Sequence, residues 1–164
     1  MSAEARGDYR RDCLSSGEDE MTVAEQLKEA LGNRVMRLET PNPKRVYLTV
    51  SPEDLVEAVR FVWQVLDARY VIVSGVDTGS QIELLYHFSI DRKDTFVSLR
   101  VFLDRNRPEI VSLSSLIPAT EWIEREIWEL LGVTFTGHPN LTHLLLADDW
   151  PEGNYPLRKK TDGA

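Results

Sequence analysis

The chain has 164 residues, of which 42% are hydrophobic, and a formal net charge of -8. That length suits one ordinary domain with a real core, and an acidic surface with no basic, aromatic-interleaved stripe excludes nucleic acid as a partner. The single cysteine, Cys13, excludes an internal disulfide and a thiolate set for an iron–sulfur cluster or structural zinc. No run approaches the roughly 20 apolar residues of a membrane-spanning helix, so any membrane association is expected to be indirect.

Residues 1–20 hold almost no large apolar side chains and are expected to form a disordered tail. Order should begin near Thr22, where Thr22-x-x-Glu25 is a capping-box pattern and Val23, Leu27 and Leu31 follow at four-residue spacing. Two strands are expected in VMRLE and KRVYLTV, separated by the TPNP turn. Ser51-Pro52-Glu53-Asp54 then combines an N-cap serine, a proline at the first helical position and early negative charge. Leu55, Val59, Val62 and Leu66 give that second helix one apolar face. The runs RYVIVSGV, QIELLYHFSI and TFVSLRVFL, joined by DTGS and DRKD, predict an antiparallel meander.

This order predicts a two-layer α+β domain, α-β-β-α-β-β-β, with a mixed five-stranded sheet carrying two helices on one face, followed by a C-terminal helix. The domain is expected over residues 21–132 and an extended, irregular docking segment over 133–164. Neither a G-x-G-x-x-G nor a G-x-x-x-x-G-K signature marks a nucleotide site.

The C-terminal helix should start near Thr120 and stop at Gly132. With 100° per residue, Ile123, Ile127, Leu130 and Leu131 fall on one side, whereas Glu124, Arg125, Trp128 and Glu129 face away and Glu126 lies at the margin of the stripe. On that projection Glu121, Arg125 and Glu129 form a solvated face, and Glu126 is the carboxylate that must be paired. Trp128, on the charged side, is expected to be covered by something.

The stretch EWIEREIWELLGVTFTGHPNLTHLLLADDWPEGNYPLRKK resembles the signature of the 30 kDa (C-type) subunit of proton-pumping NADH:quinone oxidoreductase, respiratory complex I. The matching positions are Trp122, Glu124, Arg125, Glu126, Gly132, Phe135, Gly137, His138, Pro139, Leu141, Pro156, Leu157, Arg158 and Lys159. Glu129 stands where the family usually has Asp, Thr142 and His143 where arginine is usual, and Lys160 where the ending is usually Asp. The chain stops soon after, so a shortened docking tail is expected.

The resemblance implies a subunit of the cytoplasmic arm, peripheral on the inner face of the cell membrane, with no cofactor or catalytic centre of its own. It implies packing against the hydrogenase-like (49 kDa-type) large subunit and a neighbouring iron–sulfur subunit, in support of electron transfer coupled to ion translocation. The same subunit type occurs in energy-converting membrane-bound hydrogenases and in reduced-deazaflavin dehydrogenases. Partner contacts are expected from the matched residues outside Gly132, joined by Trp128 and Trp150, with Leu, Trp and Tyr side chains filling the neighbour's grooves and Arg158 and Lys159 meeting its acidic groups. The competing reading is a free-standing enzyme using His138, His143 and the acids Asp148, Asp149 and Glu152. His-x-x-x-x-His in a loop matches no defined metal geometry, however, and a Gly-His-Pro turn whose imidazole bonds the loop accounts for His138. His87 alternates outward on its strand and reads as structural.

Overall fold

The computed structural model describes residues 21–160; the expectations for residues 1–20, Cys13 included, lie outside the described residues. Helix α1 (Val23–Leu31) opens as its sequence predicts. The Thr22 hydroxyl accepts from the Glu25 N–H, and the Glu25 carboxylate accepts from the Thr22 N–H. Val23, Leu27 and Leu31 are buried as one stripe. A hairpin then joins β1 (Arg37–Asn42) to β2 (Arg45–Thr49).

The second helix begins later than predicted and changes its winding. The Ser51 hydroxyl accepts from the Asp54 N–H at 3.2 Å, as a capping serine does, yet residues 52–54 form turns and regular helix α2 covers only Leu55–Arg60. Phe61–Val65 widen into a π-helical turn, in which the Leu66 N–H donates to the Phe61 carbonyl at 3.0 Å. Leu55, Val59, Val62 and Leu66 are all buried, so the predicted apolar face survives.

Strands β3 (Arg69–Asp77), β4 (Gln81–Ile90) and β5 (Thr95–Asp104) form the predicted antiparallel meander, and β2 lies parallel to β5. The order is β1-β2-β5-β4-β3, a mixed five-stranded sheet. Alternation decides which face is covered: Ile82, Leu84, Tyr86 and Phe88 of β4 are buried opposite Leu103, Val101, Leu99 and Val97 of β5. Each such side chain contributes about 1.5–3 kcal/mol by leaving water.

After β5 the chain holds two elements too short for alternation to reveal. Strands β6 (Glu109–Val111) and β7 (Thr134–Thr136) pair in parallel as a small second sheet. Between them lies α3 (Thr120–Leu131), ended by Gly132 in the left-handed conformation with its N–H on the Trp128 carbonyl. Helix α3 packs on β3 over Gly75, where a Cβ would stand 2.7 Å from Leu131 Cδ1 and 3.5 Å from Ile127 Cγ2. Three helices therefore share the buried face of the sheet. Among the described residues no helix is long and apolar enough to cross a membrane.

Candidate functional site

The helical projection placed Glu124 and Glu129 away from the core, and the structure corrects this. Both are buried, at 0% and 2% exposure, whereas Glu126, the carboxylate expected at the buried margin, is only half-buried. The cause is that α3 is covered on two flanks in addition to its sheet contact. The segment Ser112–Ser114 closes over Glu124, and the C-terminal segment closes over Glu129.

Glu124 accepts from the Ser112 hydroxyl and, at 2.8 Å, from the Leu113 N–H. Burial nevertheless pushes its carboxyl above the usual value, because these bonds do not fully replace water. The Tyr86 phenol, fully buried, and that of Tyr70 are both pushed up, by burial first and then by the Glu124 charge.

Glu129 has the opposite balance. Burial again opposes its charge, but its oxygens accept from the N–H groups of Leu144, Leu145 and Leu146 at 3.0, 2.8 and 3.2 Å and from His143 Nδ1 at 3.3 Å. Together these donors more than offset burial and hold the carboxyl below its ordinary value. An irregular run of backbone is thus satisfied by one side chain of α3. Arg125 fastens the same run from the other side, donating to the Thr142 and His143 carbonyls while its guanidinium lies 5.3 Å from the Trp122 ring centroid. Trp128 is covered as expected, but by this chain's own His143, with ring centroids 5.2 Å apart.

A third carboxylate, which the sequence presented only as part of a turn, anchors the distal end. Asp77 at the end of β3 accepts from Arg105 Nε at 2.9 Å, Arg105 Nη2 at 2.9 Å, the Gly79 N–H at 2.8 Å and the Lys159 N–H at 2.9 Å. The Arg105 guanidinium and the backbone donors hold its carboxyl well below the usual range despite complete burial of the side chain. Arg158 donates to the Leu131 carbonyl at 2.6 Å and the Arg105 carbonyl at 2.7 Å, and the Lys159 ammonium reaches the Thr78 carbonyl at 3.3 Å. Arg158 and Lys159, both expected to meet a neighbour's acids, are thus also engaged within their own chain, and Lys159 remains exposed. Tyr155 presses on Gly132 so closely that a Cβ there would stand 2.5 Å from its ring.

His138 has both nitrogens occupied. Nε2 donates to the Glu121 carbonyl at 3.0 Å and Nδ1 accepts from the Asn140 N–H at 3.1 Å, with the side chain fully buried and Glu124 Oε2 4.0 Å away. It is therefore the loop-bonded imidazole of a Gly-His-Pro turn, with Gly137 at φ +78° supplying the left-handed residue. His87 bonds Ser98 Oγ across two strands. Among the described residues no group of three or more His, Cys, Asp or Glu is placed to hold a metal ion.

Of the other predicted contact residues, Phe135 is buried in the core, Leu141 and Trp150 are half-buried, and Pro139 and Pro156 are exposed. Trp122 and Leu157 stand out at 61% and 57% exposure, joined by Leu145 at 62%, a residue of the segment that the family pattern does not single out.

Residues 48–164 match the family described as respiratory-chain NADH dehydrogenase, 30 Kd subunit. The chain belongs to that family. It is 34% identical over 148 residues to the C subunit of the NADH-quinone oxidoreductase of Roseiflexus sp., covering 86% of this chain and 83% of that protein. It is 31% identical over 148 residues to the C subunit of the F(420)H(2) dehydrogenase of Methanosarcina mazei, covering 88% and 93%. Other relatives are longer: the chain spans 57% of the C subunit of the Chloroherpeton thalassium oxidoreductase and 26% of the C/D subunit of that of Pseudomonas aeruginosa. Among solved structures, the trypsin-resistant fragment of Nqo5 shares the fold at a TM-score of 0.63 and 19% identity, over 74% of this chain and all of that one. A chain of the archaeal membrane-bound sulfane sulfur reductase does so at 0.68 and 21% identity, over 81% and 79%.

Proposed function

We propose that this chain is a non-catalytic subunit of a membrane-bound NADH:quinone oxidoreductase-type complex, peripheral on the cytoplasmic side, which docks α3 and the C-terminal segment on the hydrogenase-like large subunit and borders an iron–sulfur subunit. The observation that carries the reading is the contrast within the C-terminal segment. Its backbone is held by Glu129, Arg125 and Asp77, yet Leu145 and Leu157, with Trp122 on α3, leave large apolar side chains in water. Exposed apolar side chains on a fixed backbone bind with little further ordering cost. Relatives that carry the double designation C/D support a neighbour larger than this chain, since the likeness occupies only about a quarter of a polypeptide that also bears the letter D. His138, buried and doubly bonded, is poorly suited to act as base or ligand, which counts against a free-standing enzyme.

A second setting has its own support. The likeness to the Methanosarcina mazei protein, over 93% of its length, favours the equivalent place in a reduced-deazaflavin dehydrogenase. A large subunit encoded nearby that retains paired nickel-binding cysteines would instead indicate a hydrogenase.

Co-purification with the large subunit tests the docking reading. Leu157→Asp and Trp122→Ala are each expected to lower affinity by about tenfold or more, with the thermal melt of the isolated chain unchanged. Full affinity in both variants would remove the proposed interface.

A further inference from the structure

Beside α3 the C-terminal segment folds back to leave a cup of about 280 Å³, lined by Trp128, Glu129, His143, Trp150, Glu152 and Tyr155 among others. Its shape is fixed by bonds already described and by one more: Trp150 Nε1 donates to the Asn154 carbonyl at 2.7 Å, closing residues 150–154 into a loop. Trp128, Trp150 and Tyr155 give the cup its aromatic surface beside the polar stretch Glu152–Asn154, and the Trp150 N–H is already satisfied. At the base lies Glu129, a carboxylate 2% exposed and held below its ordinary pKa. At the rim stands Glu152, exposed to solvent.

Charge says what fits. From residue 126 to residue 157 the chain carries Glu126, Glu129, Asp148, Asp149 and Glu152, and neither lysine nor arginine. The flanking cations do not fill the cup: Arg125 is bound to the Thr142 and His143 carbonyls, and Arg158 to the Leu131 and Arg105 carbonyls. Aromatic faces in an acidic setting attract a weakly hydrated planar cation, which stacks on the rings while its N–H groups reach the open acid, Glu152; the Glu129 oxygens, already bonded, contribute charge alone.

We propose that this cup receives an arginine side chain of the large subunit. The proposal rests on the docking reading above and sharpens it, by giving one anchor of the interface a definite chemistry. A guanidinium there would stack on the aromatic lining and pair with Glu152 in a site that water largely leaves on docking. Such an anchor fits the pattern in which an interface depends on a few enclosed aromatic and arginine residues.

The test uses the full chain co-produced with the large subunit, with a photoreactive benzoyl-phenylalanine in place of Asn154, an exposed lining residue whose replacement leaves Glu152 intact. The cross-linked large-subunit peptide is expected to contain an arginine next to the attachment point. Glu152→Lys should weaken association by about tenfold, and arginine→glutamate at the identified position should restore it. Three outcomes overturn the proposal. The cross-link could fall on a segment without a basic residue, or within this chain on Arg10 or Arg11. Alternatively, Glu152→Lys and Trp150→Ala could both leave affinity intact. If Leu157→Asp still weakens binding in those cases, the docking reading survives and the arginine site alone falls. If no variant matters, both fall together.

Discussion

The sheet with α1 and α2 and the α3 region with its tail are held together by different forces. In the first, buried Leu, Val, Ile and aromatic side chains alternate on β4 and β5 and meet the stripes of two helices. In the second, much of the chain is irregular, and three buried carboxylates organise it: Glu124 over Ser112–Leu113, Glu129 over Leu144–Leu146, and Asp77 over Lys159. Apolar burial is non-directional and suits regular elements, whose backbone groups are already paired. Irregular backbone needs its donors met one at a time, and a carboxylate can take several. The price is that each fastening is concentrated in one side chain.

The largest effect should follow from that concentration. Glu129→Ala would strand three backbone N–H groups and should cost on the order of 3 kcal/mol. Limited proteolysis should show cleavage between residues 140 and 148 while the sheet domain stays intact. Global unfolding in place of local release would erase the distinction between the two regions.

Asp77→Asn comes next, at about 2 kcal/mol near neutral pH, because the amide keeps the shape but loses the charge facing Arg105. Its pH dependence supplies a sign. Asp77 titrates lower when folded than when unfolded. Its stabilisation is therefore complete above an unfolded value of about 4 and is lost as pH falls from there towards the folded value. Denaturant midpoints of wild type and variant should converge below about pH 4; a constant gap would mean the charge is not what matters.

Glu124→Gln should be the mildest, within about 1 kcal/mol at neutral pH. Glu124 titrates higher when folded. Its burial cost is thus absent below the unfolded value of about 4 and appears as pH rises through the folded one. The variant should lose less stability than wild type between pH 5 and pH 8, measured by urea midpoints. Parallel curves would show that Glu124 does not titrate differently on folding.

The same contrast separates what could be read from the residues from what could not. Strands β3, β4 and β5 announced themselves through alternation, and α1 through Thr22 and Glu25, because each signal lies within one element. The Gly-His-Pro turn was equally legible, since glycine and proline act locally. The buried carboxylates were not. A projection of α3 assumes a single covered side, whereas Glu124 and Glu129 sit on flanks closed by segments 112–114 and 144–146, which no property of the helix itself reveals. Asp77 read as a turn residue because its partners, Arg105 and Lys159, lie 28 and 82 residues away. Strands β6 and β7, three residues each, are too brief for any period.

The fastening of Lys159 to Asp77 also has a practical geometry. A fluorophore or affinity handle placed on Lys160 would sit beside the turn between β3 and β4, at one edge of the five-stranded sheet. Its attachment point would be set by a bond to the domain, so distances measured from such a label would report on the placement of the whole subunit.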